Sequence, residues 1–352
     1  MRDRKFWIDT GTLLLLGAVG GAAAAWAGVP MPFMLGSLTF SAAFTLARSQ
    51  SGGTVAFPRS LRFFFIGVIG TMIGARFTPD LLVLIPALWP SFLAVLLFVV
   101  LSHGMGYAVL RRVGRYDRRT ATYAAMPGGL VEAIAMGERA GADLRILTVQ
   151  HFARIILVVV TVPLLFLWLG GEAVGSSAGQ TIGNGPSRWV DTALVLGLSV
   201  AGMFAGRWLR LPAGQLMGPL LLCGLAHVLG LIDLHSPDWL LQLAQLVVGA
   251  GLGAQFSGAS AGLLVRTFAL GALTVLGMLA IGAAMALGLA QIVPGGFEPL
   301  FISFAPGGMT EMALIALSLD ASPIIVTAHH LVRIVFAVIL VNWVNRLAAG
   351  RG

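Results

Sequence analysis

Long apolar stretches separated by short polar segments run along the whole chain. Residues 81–110 and 146–169 are two examples, and each is longer than the ~20 residues that a helix needs to cross a bilayer. Each half of the chain contains five unambiguous stretches of this kind. The pattern therefore predicts an all-α polytopic membrane protein.

Two segments with nearly the same sequence interrupt this apolar pattern. The first, MPGGLVEAIAM, begins at Met126, and the second, APGGMTEM, begins at Ala305. Proline removes a backbone donor and disrupts the preceding turn, while the glycines permit positive φ. Irregular backbone at membrane depth must be buried in protein or line a wet cavity. We therefore expect each segment to form a re-entrant hairpin of two short helices, of roughly 15 Å each, that reaches the midplane and returns.

The interrupted segments belong to a duplication of the whole chain. Early matches are 182 residues apart, as in Trp26 and Trp208. Later matches are 179 residues apart and fall mainly on polar or backbone-special positions: Gly70/Gly249, Gly74/Gly253, Pro127/Pro306, Gly128/Gly307, Gly129/Gly308, Glu132/Glu311, Thr148/Thr327, His151/His330 and Arg154/Arg333. We therefore assign residues 1–170 to a first repeat, 171–187 to a Gly/Ser-rich linker and 188–352 to a second repeat.

The positions of the basic residues distinguish inverted from parallel repeats, because Lys and Arg favour the cytoplasmic side. If both interrupted segments re-enter and the N-terminus is cytoplasmic, 18 of the 22 Lys and Arg residues lie inside and only Arg76 and Arg188 lie outside. The other two, Arg154 and Arg333, lie within the membrane. If both segments cross fully, the repeats are parallel, twelve spans result, and 14 lie inside against 6 outside. We therefore predict two inverted repeats, each of five spans plus one re-entrant helical hairpin, with both termini on the cytoplasmic side of a bacterial inner membrane.

The composition supports a membrane protein and excludes several other classes. Hydrophobic residues make up 58% of the chain and charged residues only 10%, against roughly 25% charged residues in soluble domains. The net charge of +8 comes from arginines in short loops, and no polar segment is long enough for the continuous basic face that nucleic acid requires. Cys223 is the single cysteine, which excludes a cysteine metal cluster. We expect no metal, cofactor or nucleic-acid partner.

A carboxylate follows each break, at Glu132 and at Glu311. Each lies in the first turn of the helix that restarts after the glycines, where free N–H groups and the positive end of the helix dipole point toward the bilayer centre. An ionisable residue at membrane depth is a functional candidate, and inverted hairpins would bring the two glutamates together near a pseudo-two-fold axis. The alternative is that each glutamate only neutralises the dipole of its own helix.

The span after each break carries a second repeated motif, T-x2-H-x2-R. Its members are Thr148, His151 and Arg154 in the first repeat and Thr327, His330 and Arg333 in the second. With helix N-caps at Asp143 and Ser322, each arginine lies about 16 Å into the membrane, so we expect one of the two glutamates as its partner. Histidine beside these groups suits a proton relay, and the alternative is a structural network that pins the hairpin to the span. His329 has no counterpart in the first repeat, so we expect it to be peripheral.

With its duplicated PGG-x2-E and T-x2-H-x2-R motifs, the sequence resembles the bacterial AbrB-type membrane protein family over essentially its whole length. Members of this family carry a duplicated membrane region, so the resemblance implies the same for this chain. They have been labelled as ammonia monooxygenases or as regulators of gene expression, and the family is distinct from the DNA-binding transition-state regulator of the same name. The resemblance transfers no residue roles.

Three functions are compatible with these motifs. The first is a secondary transporter, proton-coupled, that moves a small polar or anionic solute by alternating access. The second is a membrane monooxygenase, although the two arginines would repel a metal ion at the same site. The third is a membrane-bound regulator or sensor, for which we would expect a cytosolic reader domain, and no polar segment here is long enough to form one.

We favour the transporter and expect no enzymatic activity. The predicted partners are the solute, protons and the lipid bilayer, and a homo-oligomer is an open alternative. The predicted solute and proton site contains both breaks and both motifs: Pro127, Gly128, Gly129, Glu132, Thr148, His151, Arg154, Pro306, Gly307, Gly308, Glu311, Thr327, His330 and Arg333.

Overall fold

A computed structural model describes residues 2–77, 85–170, 189–211, 213–258, 261–319 and 321–349 of the chain. Throughout these ranges the regular elements are helices and no strand is formed, which confirms the predicted all-α class. Seven of the described helices are long and apolar enough to cross a membrane. The protein is therefore an all-helical, polytopic membrane protein.

Fourteen α-helices of different lengths follow one another in the described residues. In chain order they are α1 (Arg2–Trp26), α2 (Pro32–Gln50), α3 (Arg59–Gly74), α4 (Trp89–Ala108), α5 (Arg118–Ala124), α6 (Leu130–Ala140), α7 (Leu144–Gly170), α8 (Trp189–Trp208), α9 (Gly214–Val228), α10 (Asp238–Gly253), α11 (Ala261–Leu289), α12 (Phe297–Phe304), α13 (Met309–Ser318) and α14 (Pro323–Ala349). A π-helical turn, Val109–Val113, continues α4. The predicted Gly/Ser-rich linker at residues 171–187 lies outside the described residues.

The helices divide into two units, and each unit draws on both halves of the sequence. Unit 1 comprises Met1–Val83, Pro163–Ala259 and Leu317–Asp320, and unit 2 comprises Leu84–Val162, Ser260–Ala316 and Ala321–Gly352. Unit 1 therefore contains α1 to α3 and α8 to α10. Unit 2 contains α4 to α6, α11, α12, α14 and most of α7 and α13, so both interrupted segments belong to unit 2.

Glycines let neighbouring helices of unit 1 touch backbone to backbone. α1 packs on α2, where a Cβ atom at Gly36 would lie 2.1 Å from the carbonyl oxygen of Gly20. α8 packs on α9, where a Cβ atom at Gly218 would lie 2.0 Å from the carbonyl oxygen of Gly202. These distances leave no room for a side chain, so both helix pairs depend on glycine at these positions.

Two further contacts in unit 1 join helices from different halves of the sequence. α3 packs on α9, and α10 packs on α2, with a glycine of one helix facing a backbone carbonyl of the other. The four pairs are Gly70 with Leu216, Gly74 with Leu220, Gly249 with Met34 and Gly253 with Leu38. A step of four residues along one helix is matched by a step of four in the same direction along its partner. The two helices of each pair therefore run parallel.

In unit 2, the long helices α4 and α11 run antiparallel. A Cβ atom at Gly106 would lie 3.2 Å from Met278 Cε, and one at Gly282 would lie 3.7 Å from the Phe98 ring. The contact thus moves toward the start of α4 as it moves toward the end of α11. Phe98 also packs against Phe304 of α12, with 5.6 Å between the ring centroids.

The first interrupted segment folds into a helical hairpin. Asp117 caps α5 by accepting hydrogen bonds from two backbone N–H groups, at 2.9 and 3.0 Å. Thr120 Oγ1 near the start of α5 accepts a hydrogen bond from Asp143 N, beyond the end of α6, at 2.9 Å. Tyr123 lies against Gly137, so the facing residues of α5 and α6 run in opposite order. The chain therefore returns at the end of α6 to the level at which α5 began.

The helices that follow the two interrupted segments begin where the sequence predicts. Asp143 Oδ1 accepts hydrogen bonds from the backbone N–H groups of Arg145 and Ile146, at 2.9 and 3.1 Å, at the start of α7. Ser322 Oγ accepts a hydrogen bond from Ile325 N, at 3.5 Å, at the start of α14. Both predicted N-caps are confirmed, and they fix the register of the motifs one to two turns into each helix.

Candidate functional site

All of the residues in the predicted site lie in unit 2, around the two breaks. The first break separates α5 from α6, and the second separates α12 from α13. Gly128 and Gly129 adopt φ values of 129° and 62°, where a side chain would be strained. The helix breaks predicted at both Pro-Gly-Gly segments are therefore present.

A histidine supplies a donor to each broken helix, whose last carbonyl groups have lost the regular donor four residues further along the helix. His151 Nε2 donates to the carbonyl oxygen of Tyr123 at 3.0 Å, and His330 Nε2 donates to that of Ile302 at 3.1 Å. Both imidazole rings are fully buried. Because a carbonyl oxygen only accepts, Nε2 carries the ring proton in both residues, and Nδ1 of the neutral ring is an acceptor.

The arginine of each motif supplies a second donor. Arg154 Nη1 donates to the carbonyl oxygen of Met126, and Arg333 Nη1 donates to that of Ala305. Arg333 Nη2 also donates to the carbonyl oxygen of Gly307 at 2.8 Å. Each guanidinium thus lies at the negative end of a short helix, α5 or α12. The His and Arg side chains of the motif are therefore the donors to the backbone carbonyls of the break.

The spacing of these four contacts is constant. Each histidine or arginine lies 28 residues after the residue whose carbonyl it binds. A constant separation means that the contact advances in the same direction on both helices. α5 therefore runs parallel to α7, and α12 runs parallel to α14.

The two copies of the motif differ in the hydrogen bonds of the second terminal nitrogen of the arginine. Arg333 Nη2 donates to His330 Nδ1 at 3.0 Å, so both ring nitrogens of His330 are used. His151 Nδ1 is buried and has no hydrogen-bond partner among the described residues. His330 is therefore held at both ring nitrogens and His151 at one.

The threonines of the motif are placed differently from the histidines and arginines. Thr327 Oγ1 donates to the carbonyl oxygen of Pro323 at 2.6 Å, within its own helix. Thr148 is half-buried on α7. The contacts of the described residues thus bring the histidines and arginines to the breaks, while the hydroxyl of Thr327 bonds inside α14.

Each glutamate folds back over the start of its own helix. A Cβ atom at Gly129 would lie 2.9 Å from Glu132 Oε2, and one at Gly308 would lie 2.1 Å from Glu311 Oε2. Glu132 is half-buried and Glu311 is 8% exposed. Both carboxylates face the positive ends of α6 and α13, as the dipole interpretation predicts. The pairing of a glutamate with an arginine, and the proximity of the two glutamates, stay predictions.

The second copy of the motif also contacts the first break. A Cβ atom at Gly128 would lie 3.4 Å from Arg333 Nε, and Ile334 packs against Gly128 and Gly129. The positive charges of Arg154 and Arg333 are close enough to repel each other. Unit 2 therefore brings the two arginines, which lie 179 residues apart in the sequence, to the same break.

Histidine, cysteine and acidic residues do not cluster as metal ligands in the described ranges. No group of three or more of them there could hold a metal ion. The guanidinium groups that the structure gathers at the breaks suit the binding of anions rather than of metal ions.

His329, which the sequence leaves peripheral to the repeated motif, is fully buried. Its Nε2 lies 2.8 Å from Ser91 Oγ, and its Nδ1 lies 2.7 Å from the carbonyl oxygen of Ile325. Its ring stacks on Phe92, with 4.5 Å between the centroids. This histidine links α14 to the start of α4, a packing role that the absence of a repeat counterpart did not reveal.

The acceptors of the site were missed by the reasoning from sequence. Tyr123, Met126, Ile302 and Ala305 take part through their backbone carbonyls, so their side-chain types carry no sign of the role. The signal that was present is the equal spacing between break and motif in both repeats, which predicts that the same pairs of positions meet twice.

Comparison with known proteins gives the family. A family profile described as "Transition state regulatory protein AbrB" matches residues 33–349. "Putative regulator AbrB" of Escherichia coli (strain K12) is 28% identical over 315 residues, which cover 89% of this chain and 88% of that protein. "Uncharacterized protein YhjN" of Bacillus subtilis (strain 168) is 23% identical over 353 residues, which cover 95% and 91% of the two chains. The resemblance seen in the motifs is confirmed, and the chain belongs to the AbrB family.

Proposed function

We propose that this protein is a secondary membrane transporter that moves a small polar or anionic solute by alternating access, coupled to protons. The observation that carries the proposal is the pair of broken helices, at which two buried arginines donate hydrogen bonds to the backbone carbonyls of the breaks. Discontinuous helices of this kind build the central sites of many secondary transporters, because their free ends present backbone groups and dipoles to a solute. A purely structural helix bundle has no need of two such breaks.

The proposed architecture is two inverted repeats, each of five spans and one re-entrant hairpin, in a bacterial inner membrane with both termini in the cytoplasm. The parallel pairs in unit 1 support it. Between α3 and α9 the chain crosses the bilayer with α4, α7 and α8, and once more if the α5–α6 segment also crosses. Since successive spans alternate in direction, α3 and α9 are parallel only if that segment does not cross. The parallel contacts at Gly70 and Gly74 therefore support a segment that re-enters.

The hydrogen bonds at the breaks support the same arrangement. A segment that crossed fully would run antiparallel to the span after it. The four contacts with a constant separation of 28 residues instead place α5 parallel to α7 and α12 parallel to α14. The ends of α5 and α6 are also joined by the hydrogen bond from Asp143 N to Thr120 Oγ1. These directions support a return of the chain after each break.

In this proposal the parts of the site have separate roles. The glycine tips and the starts of α6 and α13 bind the solute, because free N–H groups and a positive dipole end are available there. Arg154 and Arg333 stabilise the non-helical backbone of the breaks and supply positive charge. Glu132, Glu311 and the histidines carry protons, with His151 Nδ1 as the buried acceptor that has no partner in the described structure.

The test is transport by the purified protein in proteoliposomes, with a panel of radiolabelled carboxylates, amino acids and sulfonates and an imposed pH gradient. Glu132→Gln and Glu311→Gln keep the shape of the side chain and remove its charge, so each is expected to abolish proton-driven uptake. Glu138→Gln is the matched control, because Glu138 lies exposed on the same helix as Glu132 and is expected to have no effect. Full uptake by both glutamine variants at the breaks would refute the role.

The name of the Escherichia coli relative supports a second candidate, a membrane-bound regulator or sensor of gene expression. A specific partner captured by crosslinking, together with no flux of any solute in the panel, would favour it. A monooxygenase is the enzymatic alternative. Stoichiometric copper or iron in the purified protein, lost in His151→Ala, would favour that activity over transport.

A further inference from the structure

The buried arginines have hydrogen-bonding capacity that the breaks do not use. Arg154 and Arg333 are 4% and 0% exposed, and each donates through its terminal nitrogens to backbone carbonyls. Nε of each is buried and has no hydrogen-bond partner among the described residues. Buried polar groups in native proteins nearly always have a partner, and a donor on a charged group is the most costly to leave without one.

Both unused donors belong to groups at the first break. Arg154 binds the carbonyl of Met126, and Arg333 Nε lies next to Gly128, where a Cβ atom would be 3.4 Å from it. Arg333 is hydrogen-bonded to the second break, yet its guanidinium also reaches the first, where its positive charge and that of Arg154 repel each other. Two like charges in a region of low dielectric are stabilised by nearby negative charge more than by the dipoles of the carbonyls that they bind.

We propose that Arg154 and Arg333 together bind a small carboxylate, with the Nε–H group of each arginine donating to an oxygen of the ligand. A carboxylate brings negative charge and has planar oxygens that match the donor geometry of guanidinium groups. The inference deepens the proposed function by naming the class of solute, and it rests on that function only for the claim that the ligand is transported.

Binding is tested on the detergent-purified, full-length protein with acetate as the probe. Acetamide has the same shape without charge, and chloride has the charge without planar oxygens. At fixed pH and ionic strength, acetate is expected to raise the melting temperature along a saturable curve, while acetamide and chloride do not. An equal response to acetamide or to chloride overturns the carboxylate site.

Arginine variants locate the site. Arg154→Lys and Arg333→Lys keep the positive charge and remove Nε, so the affinity for acetate is expected to fall about tenfold or more in each. Arg145→Lys is the control, because Arg145 is exposed near the start of the same helix as Arg154. Unchanged affinity in both folded Arg→Lys variants places the acetate elsewhere and overturns the proposal. If neither variant folds, calorimetric titration of the unaltered protein with acetate and acetamide decides the question.

The failure of this inference and the failure of the proposed function give different results. Saturable acetate binding that depends on both arginines, without flux of any solute, supports the site and removes the transporter. Proton-driven uptake of a neutral solute, with no response to acetate, supports the transporter and overturns the carboxylate site.

Discussion

His330 uses both of its ring nitrogens and His151 uses one, although the two rings occupy equivalent positions in the two repeats. Both are fully buried, so the hydrophobic and cavity contributions of the two side chains are similar. What differs is the hydrogen bond from Arg333 Nη2 to His330. A bond of this kind contributes about 1 kcal/mol to the free energy of unfolding, which is large enough to measure. The inequality at this single atom is the clearest difference between the two copies of the motif.

Replacement of each histidine by alanine is the corresponding test. His330→Ala removes two hydrogen bonds, the one to the Ile302 carbonyl and the one from Arg333, while His151→Ala removes only the one to the Tyr123 carbonyl. We expect His330→Ala to lower the free energy of unfolding by about 1 kcal/mol more than His151→Ala does. Denaturant unfolding in detergent measures both, and equal losses would contradict the asymmetry.

Among the helices, close packing in unit 1 rests on glycines that face a neighbouring backbone. α8 carries one glycine that faces a neighbouring backbone and one that faces open space. A Cβ atom at Gly202 would lie 2.3 Å from the Cα atom of Pro219 in α9, while one at Gly197 would meet no atom within 4 Å. The same substitution on the same helix therefore has opposite consequences at two positions five residues apart.

Gly202→Ala and Gly197→Ala form a matched pair. We expect Gly202→Ala to force α8 from α9 and to lower the melting temperature of the protein strongly, since backbone atoms cannot move aside as a flexible side chain can. Gly197→Ala is expected to be neutral or to stabilise by up to about 1 kcal/mol, because alanine favours the helix. A Gly202→Ala variant as stable as the Gly197→Ala variant would contradict the packing of these two helices.

Local elements of the site follow from sequence more readily than its contacts do. Proline and paired glycines fix the breaks through backbone geometry alone, and Asp143 and Ser322 fix the helix starts by capping, so both were predicted. The partners of Arg154 and Arg333 were not, because a carboxylate is the usual partner of a buried arginine and any residue can offer a carbonyl. The position of Glu311 against Gly308 likewise depends on how its helix begins.

For the whole molecule, the direction of packed helices carries the topology. α3 with α9 and α10 with α2 are parallel pairs, and each pair takes one helix from each half of the sequence. The contacts are reciprocal, because Gly70 meets Leu216 while its counterpart Gly249 meets Met34, the counterpart of Leu216. Reciprocal contacts are what a two-fold relation between the halves produces. Composition and charge alone indicate this relation only through the count of arginines on each side.

Single cysteines in a Cys223→Ser background test the membrane topology. The inverted arrangement places cysteines introduced at Arg118, Arg139 and Arg207 on the cytoplasmic side and one at Asp233 on the external side. All four positions are exposed. An impermeant maleimide added to intact cells is therefore expected to label only Asp233→Cys. Labelling of Arg139→Cys and Arg207→Cys from outside, with Asp233→Cys protected, would show instead that the first interrupted segment crosses fully.

The fixed distance of 28 residues between each carbonyl and its donor has a consequence for how this chain can vary in length. One residue gained or lost between the N-cap Asp143 and Arg154 would turn the guanidinium by about 100° around the axis of α7, away from the carbonyl that it binds. A deletion in one half would also leave the other half intact, so the damage would be one-sided. The segment from the start of α7 to Arg154 therefore tolerates substitutions but not insertions or deletions.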